Sequence, residues 1–132
     1  MNLIDTGVWI DWINGRYSPA TDRLDTWLER DEAALLPIIL QEILQGARSE
    51  QAFQALAAQF ARIPLLRIPA ESFNRAAWLY ARCRWQGITI RSPHDCLIAA
   101  SAVEHDIPLL TQDRDFLAIA KVEPRLALLG LD

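Results

Sequence analysis

Cysteine and histidine are scarce in this chain of 132 residues, which has two of each. Cys83 and Cys96 form no CxxC pair, and neither His94 nor His105 belongs to a spacing typical of zinc ligands. The pattern therefore disfavours a zinc site and a disulfide framework. We expect both cysteines to be buried thiols in or beside helices, and both histidines to have structural roles near helix ends.

Long apolar runs are also lacking. None approaches the ~18 residues that cross a bilayer, and no basic leader precedes the first strand. We therefore expect a soluble, cytoplasmic protein. Glycine is limited to five residues, and neither a Walker phosphate-binding loop nor a GxGxxG motif is present. With 52% apolar residues the chain can form a core, and its length predicts a single domain over residues 1–132.

Lysine is almost missing, since Lys121 stands alone beside twelve arginines. The formal net charge of -4 argues against a general polyanion-binding protein. Arginine makes planar, bidentate contacts with carboxylate and phosphate groups. Arginines on the rim of an acidic cleft would explain this composition, and so would a genome rich in arginine codons.

Apolar periodicity divides the chain into short strands that alternate with helices. The longest predicted helices cover residues 70–85 and 92–104. Apolar runs between turn residues predict strands at 1–4, 33–36, 64–68, 107–111 and 126–129. Such alternation is typical of a parallel sheet with helices on both faces. The expected fold is α/β, a three-layer α/β/α sandwich whose central parallel sheet has about five strands.

Four carboxylates lie at or near the ends of these elements: Asp5, Glu42, Asp95 and Asp113. Each has a structural explanation, because three of them suit helix N-termini, where Ser92 and Asp95 fit a capping box. Glu42, a lone acid on a helix, would ordinarily face water. In a parallel sheet, however, the carboxyl ends of the strands meet at one edge, so Asp5 and Asp113 are expected to be neighbours.

A cluster of these acids would need a counter-charge. Two unit charges about 6 Å apart repel by roughly 3 kcal/mol at an effective dielectric of about 20. Oxygen ligands without histidine suit Mg²⁺ or Mn²⁺ rather than zinc. A cation held in this way commonly supports phosphoryl transfer. Because no Ser-His-Asp arrangement is readable, the residues favour hydrolysis of a phosphodiester bond.

Four segments resemble the motifs of PIN-domain ribonucleases, in the same order along the chain. They are LIDTGVWI at 3–10, EILQGAR at 42–48, DCLIAASA at 95–102 and LLTQDRDF at 109–116. Four ordered motifs are far more specific than any one of them, and together they cover nearly the whole chain. Their style and the chain length resemble the VapC-type toxins of bacterial and archaeal toxin–antitoxin pairs.

The resemblance implies a metal-dependent endoribonuclease toxin that acts on cellular RNA (tRNA, rRNA or mRNA). It also implies a frequent homodimer and neutralisation by a VapB-type antitoxin. By the same resemblance Asp5, Glu42, Asp95 and Asp113 would be catalytic and would ligate Mg²⁺, for which Mn²⁺ can substitute.

Two further residues of the fourth motif follow from the resemblance. Asp115 would be an additional metal ligand, ranked after Asp113. Thr111 would take part in catalysis and, together with Thr6, would orient ligands or water through its hydroxyl.

Four other residues are candidates for partner binding. Trp9 and Trp12 share the first helix, where they either pack in the core or form an aromatic groove for a partner. The resemblance implies that antitoxins dock near this helix. Arg48 and Arg91 lie close in sequence to the motifs, and are either solvated charges or contacts to an antitoxin or to RNA phosphates.

Two other classes of protein remain open. A catalytically idle PIN-like module would keep the fold and bind a protein partner only. An aspartyl-phosphate protein is disfavoured, because its chemistry requires a second acid near Asp5 or a well-placed lysine, and Lys121 is poorly placed.

Overall fold

The computed structural model describes residues 1–131. Within that range the chain forms a four-stranded sheet and seven helices. The strands are β1 (Asn2–Ile4), β2 (Ala33–Ala34), β3 (Leu109–Leu110) and β4 (Leu128–Leu129). The helices are α1 (Thr6–Ile13), α2 (Pro19–Glu29), α3 (Pro37–Leu44), α4 (Glu50–Phe60), α5 (Ala70–Trp85), α6 (Pro93–Glu104) and α7 (Asp115–Val122).

The sheet has the strand order β2-β1-β3-β4, and all paired strands are parallel. Successive residues of a strand point to opposite faces. Leu3 and Ile4 of β1 are both fully buried, as are Leu109 and Leu110 of β3. Both faces of the sheet are therefore covered, which confirms the predicted α/β/α sandwich.

The prediction of about five strands is wrong in one segment. Residues 64–68 contribute only an isolated bridge, in which Leu35 pairs with Leu65. Pro64 has no N–H to donate to a ladder, and Leu65 remains 52% exposed. Leu66 donates to the carbonyl oxygen of Leu35 at 2.8 Å, but none of residues 64–68 is buried, so the pairing ends after one bridge. The other predicted strands are two or three residues long and keep their predicted places.

Helix α6 lies in the interior, because residues 96–102 are all buried. A helix that is apolar all round belongs in a core, and α5 packs along it. Cys83 of α5 and Cys96 of α6 are free and fully buried, as predicted. Burial raises the pKa of Cys96 to about 12, so this thiol stays protonated near neutral pH.

The two histidines have the predicted structural positions. His94 is exposed in the first turn of α6, and His105 is the residue that caps its C-terminus. The His105 Nε2 atom lies 2.8 Å from the carbonyl oxygen of Arg67. None of the helices in residues 1–131 is both long enough and apolar enough to cross a membrane.

Candidate metal centre

Asp5 follows β1 directly and caps the N-terminus of α1. Its backbone N–H donates to the carbonyl oxygen of Leu110 at 2.9 Å, which fixes Asp5 beside the end of β3. Its Oδ1 accepts the N–H of Thr6 and its Oδ2 accepts the hydroxyl of Thr111, both at 2.8 Å. Asp5 is therefore both a helix cap and a buried acid of the site.

Thr111 connects the ends of the two central strands. Besides donating to Asp5, its hydroxyl accepts the backbone N–H of Asp113 at 3.0 Å. Asp113 Oδ1 in turn accepts the backbone N–H of Asp115 at 2.9 Å. The predicted proximity of Asp5 and Asp113 is confirmed, and it follows from the parallel pairing of β1 with β3.

Two more acids come from helices. Glu42 lies on α3, and its Oε1 accepts the hydroxyl of Thr6 at 3.0 Å. Asp95 lies in the first turn of α6. The predicted capping box is wrong, because Ser92 occupies the N-cap position but its side chain makes no capping bond.

These four acids line one open cavity of about 410 Å³. Asp11 and Gln112 also line it and were not predicted. Asp11 is half-buried on α1, four residues after Gly7, which also lines the cavity, so the helical spacing of these two residues was the available signal. In addition, carboxylate oxygens of Asp95, Asp113 and Asp115 lie within 4.8 Å of one another. The cavity and this triad share Asp95 and Asp113.

Burial and mutual repulsion raise the pKa of two of these acids. Burial raises the pKa of Asp5 to about 6, with smaller contributions from the charges of Asp113 and Glu42, against the hydrogen bonds from Thr111 and Thr6. Burial is also the largest cause of the rise in the pKa of Asp95 to about 7, followed by the charges of Asp5, Asp113, Asp115 and Glu42. The site therefore resists holding all of its negative charge without a cation.

Arg91 is bonded to the outer side of this cluster. Its Nη2 donates to Asp113 Oδ1 at 3.0 Å and its Nε donates to Asp115 Oδ2 at 3.1 Å. Hydrogen bonding to Asp115 is the main reason that the pKa of Arg91 is raised. Within residues 1–131, Asp113 Oδ2 and Asp115 Oδ1 accept no hydrogen bond. Each carboxylate thus keeps one oxygen for a cation while Arg91 holds the other.

The remaining partner candidates have different environments. Trp9 is fully buried and packs edge to face against Trp12 and Phe60, so its interpretation as a partner contact is wrong. Trp9 lies on the side of α1 that faces the core. Trp12 is half-buried, and its Nε1 donates to Asp25 Oδ1 at 2.7 Å. Arg48 is exposed.

The donor set fits a divalent cation. Every side chain of the triad and all five acids of the cavity offer oxygen, the ligand atom that Mg²⁺ and Mn²⁺ prefer. Burial, and after it the repulsion of neighbouring carboxylates, raises the pKa of Asp5 and Asp95, and a cation would oppose both effects. Fold and site together define a parallel α/β protein whose carboxylate-rich centre suits such an ion.

Comparison with known proteins specifies this class. Residues 3–122 match the sequence profile of the PIN domain. The chain belongs to the PIN domain family. It is 34% identical over 125 residues to VapC ribonuclease Mb1587 of Mycobacterium bovis, a match that covers 92% of this chain and 93% of the relative. The same values hold for ribonuclease VapC11 of Mycobacterium tuberculosis.

Solved structures share the fold. VapBC2 of Rickettsia felis, bound to a promoter DNA fragment, aligns with a TM-score of 0.77 at 21% identity, over 99% of this chain and 98% of the other. VapBC-1 of nontypeable Haemophilus influenzae aligns with a TM-score of 0.75 at 21% identity, over 97% and 96%. These alignments confirm the PIN-like architecture over nearly the full length of the chain.

Proposed function

We propose that this chain is a Mg²⁺- or Mn²⁺-dependent endoribonuclease toxin that hydrolyses phosphodiester bonds of cellular RNA. The observation that carries the proposal is the convergence of four acids from β1, α3, α6 and the end of β3 on one cavity. Membership of the PIN family and 34% identity to proteins named ribonucleases support it. The enzyme is taken to be one domain over residues 1–132 that acts in the cytoplasm, where its substrate is found.

In this proposal the acids of the site are the ligands of the metal ion. Asp5, Glu42, Asp95 and Asp113 hold the ion, and Asp115 is a further ligand. When bound, a divalent cation polarises a phosphate oxygen and lowers the pKa of water.

The chain's own hydroxyls position these carboxylates. Thr111 donates to Asp5 and Thr6 donates to Glu42, so each acid is held in one orientation. The pKa of Asp95 is about 7, so about half of its carboxyl groups are protonated at pH 7 when no cation is bound. Because Asp5, Glu42 and Asp113 are each held by a second group, most of the cavity is preorganised for the ion.

A VapB-type antitoxin is the proposed partner, and the enzyme is proposed to act as a homodimer. Two structures with the same fold are VapBC complexes, which supports the antitoxin. Beside the cavity, Ile10 and Ile13 of α1 are 41% and 36% exposed, next to Trp12. This apolar surface is a suitable antitoxin contact, and the exposed Arg48 is a separate candidate.

The test is cleavage of total RNA by the purified chain with millimolar Mn²⁺ or Mg²⁺, with EDTA, and with Asp5→Asn in place of the native protein. We expect discrete fragments only from the native chain with metal. A chain that binds the antitoxin encoded beside it but cleaves no RNA would instead be a catalytically idle binding module.

A further inference from the structure

Helix α5 carries a regular series of arginine and tryptophan on one outer flank. Arg75, Trp78, Arg82 and Trp85 are spaced by three, four and three residues, which places them in one row along the helix. We call this row the Arg–Trp stripe. It extends over about 15 Å at 1.5 Å per residue. The buried face of α5 is a different one, formed by Ser72, Ala76, Leu79 and Cys83.

The aromatic members of the stripe are open to solvent. Trp78 is 56% and Trp85 is 68% exposed. Their rings meet edge to face with centroids 5.4 Å apart, so the pair forms one fixed aromatic surface. Two large apolar side chains held together in water indicate a contact surface rather than part of the core.

The cationic members of the stripe, together with Arg125 from outside α5, line a cavity beside Trp78. Its volume is about 550 Å³, and Arg75, Arg82 and Arg125 line it together with Glu104 and Glu123. Arg75 pairs with Glu104 at 3.2 Å and Arg125 with Glu123 at 3.0 Å. Arg82 instead donates to the carbonyl oxygen of Val122 at 3.4 Å. Three cations against two acids leave one positive charge in excess on a chain whose net charge is -4.

We propose that the Arg–Trp stripe binds a single-stranded segment of the RNA substrate, an inference that rests on the proposed ribonuclease function. Bases stack on Trp78 and Trp85, and Arg75 and Arg82 of the same row contact phosphates, which is how single strands are bound without sequence preference. Charge complementarity selects this occupant. The acidic cavity repels a polyanion, so affinity for RNA must come from a cationic surface elsewhere.

The stripe leads towards the acids along the chain. Trp85 ends α5, and six residues later Arg91 contacts Asp113 and Asp115. A segment of that length spans at most about 20 Å. A bound strand can therefore reach from the stripe to the acidic cavity.

The test is fluorescence anisotropy with a labelled oligouridine in EDTA, where binding is measured without cleavage. Trp78→Ala should raise Kd at least about fivefold, the lower limit for loss of one stacked base. Phe73→Ala is the matched control, because Phe73 lies on the same helix and is equally 56% exposed, but outside the stripe. It should change Kd less than about twofold.

Salt dependence separates phosphate contacts from stacking. Arg82→Ala should reduce the slope of log K against log salt concentration by about 0.7, whereas Trp78→Ala should leave the slope unchanged. Arg62→Ala, an exposed arginine outside the stripe, should change neither. If Arg82→Ala unfolds, Arg125→Ala provides the same test from outside α5.

Equal effects of the stripe and control variants would overturn the proposal. So would a loss of mass by Trp78→Ala in sedimentation without a loss of RNA affinity, because the stripe would then join two copies of the chain. If the native chain cleaves RNA and the stripe variants bind RNA normally, the proposed role of the Arg–Trp stripe is wrong, but the ribonuclease function stands. If the stripe variants lose RNA binding but the native chain does not cleave RNA, the proposed ribonuclease function is wrong, but RNA binding by the stripe stands.

Discussion

Asp95 is the residue on which the electrostatics of the site act most strongly. Burial and four neighbouring carboxylates raise its pKa to about 7, although its position in the first turn of α6 is one that helix dipoles favour for an acid. The sequence shows the dipole position but not the other acids. Tertiary structure therefore decides the role of this side chain.

Replacing Asp95 by Asn should stabilise the metal-free protein. At pH 7.5 we expect the melting temperature to rise by a few degrees, about 1 kcal/mol, because a half-buried charge among like charges is removed. Mn²⁺ should no longer stabilise the variant, and its cleavage rate should fall more than about a hundredfold, because a metal ligand is missing. Thermal unfolding with and without Mn²⁺, and cleavage rates, measure both effects.

Asp106→Asn is the control for this substitution. Asp106 is exposed beyond the C-terminus of α6 and has a φ of 55°, a conformation that Asn also adopts readily. If Asp95 had no part in the site, Asp95→Asn and Asp106→Asn should have the same melting temperature, the same response to Mn²⁺ and the same cleavage rate.

Arg91 supplies positive charge to Asp113 and Asp115 when no metal is bound. Arg91→Ala should therefore lower the melting temperature of the metal-free protein, and saturating Mn²⁺ should shrink the difference from the native chain because the ion replaces the lost charge. The measurement is a thermal scan of both proteins with and without Mn²⁺. An equal decrease in both conditions would mean that Arg91 acts only through packing.

At the scale of elements, the helices were more predictable than the strands. Apolar spacing predicted α5 with its observed bounds, residues 70–85, and α6 to within one residue. Strands of two or three residues carry too few positions for a period of two to appear, so their lengths were overestimated and residues 64–68 were wrongly taken for a strand. The order of the strands in the sheet depends on pairing between segments that are distant in sequence.

The end of β4 approaches the site at Gly130. This residue has a φ of +96°, and a Cβ atom there would lie 2.6 Å from the carbonyl oxygen of Thr111. Gly130→Ala should therefore lower the free energy of unfolding by about 1–3 kcal/mol and weaken the Mn²⁺ response, because Thr111 positions Asp5.

Gly46→Ala serves as the comparison in urea unfolding. Its Cβ would meet its nearest atom at an ordinary 3.5 Å, and we expect little change. If Gly130→Ala were as stable as the native chain, β4 would have to move away from Thr111 without cost.

At the scale of the whole molecule, the gathering of the acids was predictable and the details of their contacts were not. Motif order and a parallel sheet were sufficient to expect Asp5 beside Asp113. The contact from Arg91 was not readable, because it depends on the course of residues 86–92 between two helices. The same limit applies to Trp9, whose burial depends on which side of α1 faces the core.

The pH dependence of the metal-free protein follows from Asp5 and Asp95 together. Both have a folded pKa, about 6 and about 7, above the ordinary 3.8. The folded state therefore binds more protons between about pH 4 and 7, and the stability that they contribute is lost as the pH rises through that window. For Asp5 alone the loss amounts to roughly 3 kcal/mol. Urea unfolding of the native chain and Asp95→Asn should show a shallower decline in the variant.

The most direct test of a shared cation site is the shift in melting temperature that Mn²⁺ causes, measured from pH 5 to pH 8. The difference between the melting temperatures with and without Mn²⁺ at each pH removes the contribution of titratable groups that do not interact with the ion. We predict almost no shift at pH 5, where protons occupy Asp5 and Asp95, and a shift of several degrees by pH 8, where the ion meets free carboxylates. A shift that is zero throughout, or the same at every pH, would contradict a cation held by these acids.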